Sequence, residues 1–353
     1  MTVSAADRAA FLRAARGAAR QVVALSGAGS VIDHHERSGL EALGAEALGT
    51  AVEATGFGMP ADLRVLVMDR TQWLEAALDD MLPYFLDMLD SLSGDETPEN
   101  PRVLEESRKI DPSGPAGVLG VGIGLTIGQL AKRALGTYEL AVPRPNHDDR
   151  LLVLPENLAV FAREWEIPLN EVQAWACTTD ALVHLVITRA HVRRRLTTLL
   201  RAYMTNVGLD SEALAAAMAG RVKGKIDPDA LIASLETPAQ QRPAAELRAI
   251  STTLAAHAMR IAEAGLGVMA PISPRLAEAV RRRRGEMPLR DRLAEFWFGL
   301  TLGPAQQRRG ERFLARLSER GGERAMRRLW TTEESIPQPE DIEDPERWLA
   351  RVA

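Results

Sequence analysis

Over residues 170–203, apolar side chains recur at Val172, Trp175, Ala176, Leu182, Val183, Val186 and Ala190. Spacings of three and four put them on one face of a long helix, with Thr179 and Val183 on its buried side. Asn170 stands where an N-cap belongs, with Gln173 at the third helical position. The rest of the chain is read outward from this helix. Further helices are predicted over about 5–25 and 36–55, the second closing near Gly56 and Gly58, and over 71–92, with Trp73, Leu82, Tyr84 and Phe85. A second long helix is predicted over about 244–265, after Gln240, Gln241, Arg242 and Pro243 interrupt the pattern. Short helices are expected over 210–218 and 228–234 around a turn at 220–227, and another helix ends in Arg281, Arg282, Arg283 and Arg284. Residues 63–68 and 151–154 are brief β-forming runs, whereas 93–101 and 143–149 are polar loops or turns. The expected fold class is mainly α with a small β component, a helical body beside a small sheet.

Composition narrows this picture. With 353 residues and no Pro/Gly/Ser-rich linker, a single domain is expected, with an N-terminal helical part over 1–110, a core over 111–270 and a C-terminal part and tail over 271–353. A net charge of -5 gives no general attraction to nucleic acid or anionic lipid, so neither is expected as a partner. The one cysteine, Cys177, excludes an internal disulfide and a multi-thiolate metal site, and fits a reducing, cytoplasmic setting with a buried inert thiol. The N-terminal stretch carries Arg8, Arg13, Arg16 and Arg20 at intervals and reads as an amphipathic helix, not a signal peptide. Residues 112–131 are long and uncharged enough to span a membrane, but Pro112, Pro115 and six glycines favour a buried, closely packed helix. The four arginines at 281–284 are expected to form a solvated helix end that complements the helix dipole. His34 and His35, and His147 beside Asp148 and Asp149, are expected at exposed turns and helix ends. No Gly-x-Ser-x-Gly elbow occurs.

Several stretches in order along the chain carry a family likeness: Val67-Met68-Asp69-Arg70 before Trp73, Leu135-Gly136-Thr137-Tyr138, Leu151 to Asn157, Trp175 to Arg194, Leu254 to Ala258, and Ile336 to Val352. On these the chain resembles the type 2 zincin-like metallopeptidases of actinobacteria, a group of hydrolases associated with deazaflavin-coenzyme biosynthesis. The resemblance implies a zincin-like helical scaffold and a His-Glu-x-x-His motif, in which two histidines one turn apart share zinc and the glutamate polarises a zinc-bound water. In register with Trp175 and Thr188, that motif falls on Thr179-Asp180-Ala181-Leu182-Val183. Both histidines are absent and the glutamate is replaced by Asp180. A further ligand, expected in a Glu-Gly-His-like motif, falls on Ala255, and His257 alone remains of the set.

The expectation is accordingly a catalytically inactive homologue, a pseudoenzyme that binds a protein or peptide, an active relative or a second copy of itself. No catalytic residue, metal or other cofactor is expected at the degenerate positions Thr179, Asp180, Val183 and Ala255. Thr179, Leu182, Val183 and Ala255 are expected to pack as ordinary core. The alternative is a metal-dependent hydrolase or peptidase whose zinc has moved to Asp180, His184 and His257. Asp180 and His184 lie one turn apart on a helix flank, where a surface pair is the simpler reading, and His191 lies about 10 Å further along by helical rise.

Overall fold

The computed structural model describes residues 3–27, 32–92, 114–144, 146, 148–207, 236–265, 270–286, 289–300 and 302–352. The loop expected over 93–101, the short helices expected over 210–218 and 228–234, and His147 lie outside them.

Helix α1 (Ala5–Ala24) starts at Ser4, whose hydroxyl accepts the Asp7 N–H. Helix α2 (His34–Thr55) starts at Asp33 in the same manner and stops at Gly56, which takes the left-handed conformation at φ 69°. Strand β1 (Arg64–Val67) and helix α3 (Arg70–Leu92) follow, then α4 (Gly114–Arg133) and strand β2 (Arg150–Val153). The strands pair in parallel, Arg64 opposite Arg150 through Val67 opposite Val153, so the chain between them makes a crossover through α3 and α4. Gly136 adds an antiparallel bridge to Val153.

Among the described residues α4 is the one helix long and apolar enough to cross a membrane, and 56% of its apolar stretch is buried inside the protein. Its glycines let it lie directly on α1. A methyl group at Gly120 would stand 2.5 Å from the Phe11 carbonyl oxygen, and at Gly124 closer still to that of Ala15.

After α5 (Pro155–Glu164), the stretch predicted as one helix divides into α6 (Leu169–Ile187) and α7 (Ala190–Met204). Thr188 ends α6 by bonding the His184 carbonyl through both N–H and hydroxyl, and Arg189, extended at φ -60° and ψ 128°, opens α7. Apolar spacing hides this break because it resumes at once with Val192, Leu196 and Leu199 on a buried face. Nor does Asn170 cap α6. The helix begins two residues earlier than that cap implies, at Leu169 after Pro168, and no side chain caps it.

Helix α8 (Pro238–Ala264) begins before the predicted position. Thr237 and Gln240 form a reciprocal capping box, so Gln240 starts the helix rather than interrupting it. Pro243 lies in the second turn, where its missing N–H forfeits a single intrahelical bond. Helices α9 (Pro274–Gly285), α10 (Leu289–Trp297), α11 (Pro304–Arg328), α12 (Pro339–Glu343) and α13 (Pro345–Val352) complete the chain. The tail is anchored by Trp348, buried with its Nε1 donating 3.0 Å to the Ser335 carbonyl, and by Arg351, which grips both carboxylate oxygens of buried Asp341. The main core reaches from Phe11 to Trp348, and a second cluster beneath α6 gathers Leu158, Phe161, Val172, Trp175 and Val280. The fold is mainly helical with a two-stranded sheet, as the apolar pattern predicts.

Candidate functional site

Helices α6, α8 and α9 and the segment after α4 enclose a cleft of about 140 Å³. Thr179, Asp180 and Val183 of α6 and Ala255 of α8 all line it. This corrects the expectation of a filled core: Leu182 is fully buried, but Thr179, Val183 and Ala255 remain half-buried on the cleft wall. The physical reason is size, since short side chains on facing helices do not meet across the gap.

Asp180 is fixed by main chain. Its Oδ2 accepts the Thr137 N–H at 2.9 Å and its Oδ1 the Tyr138 N–H at 2.8 Å. Gly136 makes this approach feasible, because a Cβ there would stand 2.9 Å from the Asp180 Cγ. The same segment is tied from other sides. Trp73 Nε1 donates 2.7 Å to the Gly136 carbonyl, the Leu152 N–H donates to the Thr137 hydroxyl, and Arg144 donates 3.0 Å to the Thr137 carbonyl. Arg144 itself is paired at 3.0 Å with Asp80, both side chains being out of solvent, and Asp80 also accepts the Asn146 N–H. Burial pushes the Asp180 carboxyl up to about 6, against the lowering effect of its bonds to Thr137 and Tyr138.

His184 is buried rather than on a surface flank, and its Nδ1 lies 3.2 Å from the Tyr138 hydroxyl. Tyr138 thus joins Asp180, through its N–H, to His184, through its side chain. Burial drives the His184 imidazole down to about 4 and raises the Tyr138 phenol, so both are neutral at pH 7. Tyr138 stands in one of the family-like stretches, but periodicity gives no hint of its two partners on α6.

His257 does not join this group. Although its neighbours Ala255, Ala256 and Ala258 line the cleft, its Nδ1 accepts the Trp330 indole N–H at 3.2 Å, and burial pushes its pKa down to about 4. His191 donates from Nε2 to the carbonyl of the same Trp330 at 2.9 Å. Among the described residues no three His, Cys, Asp or Glu side chains are grouped so as to hold a metal ion. The donor chemistry at the family positions fits zinc poorly. Val183 and Ala255 carry hydrocarbon only, the Thr179 hydroxyl bonds the Trp175 and Ala176 carbonyls, and both Asp180 oxygens are engaged. Cys177 is buried one turn before Asp180, with its thiol pushed up to about 12 by burial and by the Asp180 charge. His34 and His35 open α2 in solvent.

The arginine run departs from its expected role. Four consecutive residues sweep most of a helical turn, so on a packed helix some of them face inward. Arg282 alone is exposed, stacked over Trp165 and paired with Glu286 at 2.8 Å. Arg281, Arg283 and Arg284 line the cleft. Arg283 donates 2.6 Å to the Arg133 carbonyl and 3.2 Å to Glu139, and Arg281 pairs with Glu263 and Glu311. Arg284 is half-buried, desolvation lowers its pKa, and its buried Nη1 has no hydrogen-bond partner.

No curated protein sequence matches the chain. Among solved structures it is similar to the crystal structure of a "putative hydrolase with a novel fold" from Chloroflexus aurantiacus, with 20% identity and a TM-score of 0.67 over 96% of this chain and 97% of that one. At that identity the likeness concerns the fold alone. A model of the zincin-like metallopeptidases matches residues 12–349, from within α1 to α13 and so across the whole cleft. The chain therefore belongs to the zincin-like metallopeptidase family.

Proposed function

We propose that this chain is a catalytically inactive member of its family, a pseudoenzyme whose cleft binds a peptide or a segment of a partner protein. The observation that carries the reading is the chemistry of the cleft wall. Where the family's reaction needs zinc ligands, Thr179, Val183 and Ala255 offer one occupied hydroxyl and two hydrocarbon side chains, and Asp180 serves the backbone of Thr137 and Tyr138. These residues do not fit a zinc ion, and no catalytic step is assigned to one. What remains is an open, partly apolar cleft. A relocated metal at Asp180, His184 and His257 finds less support, because His257 is turned to Trp330.

Metal content by mass spectrometry tests this, on tag-free protein exposed to zinc and then dialysed. The expected ratio is near zero. Zinc-dependent peptide hydrolysis abolished by Asp180→Ala overturns the proposal. A converse arm adds Thr179→His, Asp180→Glu, Val183→His and Ala255→Glu together; this folded quadruple variant is expected to gain zinc affinity.

A further inference from the structure

The carboxylates that line the cleft are already engaged. Asp180 accepts from Thr137 and Tyr138, Glu139 from Arg283, Glu311 from Arg281, and Glu295 from the Leu302 N–H at 3.2 Å. The unsatisfied atoms of the lining residues are of the other kind. Trp175 Nε1, Ser251 Oγ and Arg284 Nη1 are buried without any hydrogen-bond partner, and all three can donate. Buried donors are satisfied in the great majority of native structures, so three around one cavity call for an acceptor from outside.

Arginine side chains gather on one wall of the cleft. Arg281, Arg283 and Arg284 of α9 line it, and Arg281 and Arg283 are each engaged with a carboxylate, whereas Arg284 keeps one buried N–H unused. Leu135, Val183 and Leu254 supply apolar wall.

We propose that the cleft recognises its ligand by an oxyanion, a carboxylate or a phosphate, seated at Arg284 with an apolar body against the Leu135, Val183 and Leu254 wall. This rests on the binding reading and adds the charge of the ligand. A planar guanidinium with an unused N–H suits such a group, and the Ser251 hydroxyl adds a neutral donor.

Calorimetric titration of the full chain with N-acetyl-leucine, N-acetyl-leucinamide and inorganic phosphate, at matched ionic strength, tests it. The first two differ only in the anionic group. The free acid is expected to bind at least about tenfold more tightly than the amide, and Arg284→Gln to abolish that difference. Arg282→Gln, on the exposed neighbour, is expected to leave it intact. Competition by phosphate assigns recognition to the oxyanion itself; lack of competition assigns it to a carboxylate on an apolar body. Should Arg284→Gln fail to fold, Ser251→Ala replaces it, with severalfold weaker binding of the acid expected. Equal binding of acid and amide, no binding of any probe, or full affinity in the folded Arg284→Gln variant overturns the proposal. Equal binding of acid and amide leaves the binding function standing, whereas retained zinc with hydrolysis removes that function whatever the titrations show.

Discussion

The lining around Asp180 and the lining around Arg284 are built on different plans. Around Asp180 the lining polar groups are paired, Asp180 with two backbone N–H groups and the Gly136 carbonyl with Trp73, while Arg144 behind them bonds Asp80 and the Thr137 carbonyl and keeps one buried Nη2 without a partner. Around Arg284, the carboxylates are engaged while a guanidinium N–H is left over. A site whose polar groups satisfy one another holds shape, and a site with donors to spare holds something else. The difference teaches where to test for a ligand: at Arg284 on α9, away from the α6 and α8 positions that ancestry marks.

The largest expected effect breaks the Asp180 lining from behind. Asp80→Ala leaves Arg144 buried without its partner carboxylate and is expected to cost about 3–5 kcal/mol in denaturant unfolding. Next comes pH. The folded-state pKa of Asp180 is raised from 3.8 to about 6, so its contribution to stability is full below pH 3.8 and is lost as pH rises through 6, a change of about 3 kcal/mol. His184 and His257 run the other way, each contributing fully above pH 6.5 and losing that contribution as pH falls through about 4. Unfolding of wild type and Asp180→Asn between pH 4 and pH 7 isolates the carboxyl, because the histidine terms cancel in the difference. The expected result is a variant that gains on wild type as pH rises; parallel curves would show that Asp180 does not titrate in this range.

Gly136→Ala comes third. Its methyl group meets the Asp180 carboxylate, and loss of one backbone bond is expected to cost about 1–3 kcal/mol, read as a lower midpoint at unchanged denaturant slope. Smallest is Arg282→Gln, on the exposed member of the arginine run, where the midpoint is expected to stay at the wild-type value in the same assay.

Much of this was legible in the chain. Periodicity finds α3 within a residue at its start, and β-forming side chains find both strands within a residue or two, because each pattern is set by what a short segment must bury. The family-like stretches place Thr179, Asp180, Val183 and Ala255 on one cavity. What stays hidden is contact between distant segments. The Asp80–Arg144 pair spans 64 residues, the Tyr138–His184 contact 46, and Arg283 meets Glu139 across 144. A helix pattern tells which face is covered but not by what, so an arginine run reads as solvated until its neighbours are known. The break at Thr188 and Arg189 escapes for another reason: it contains neither Gly nor Pro and is closed by side-chain and backbone bonds to a single carbonyl.

The seam between α1 and α4 has a genetic consequence. A side chain added at position 120 or 124 would strike carbonyl oxygens of α1, which every residue type carries alike. No replacement on α1 shortens a backbone, so lesions at these two glycines have no second-site suppressor among the residues they would touch. Selected revertants are expected to restore glycine itself, and the two positions to drift, if at all, only together with a new path for one of the helices.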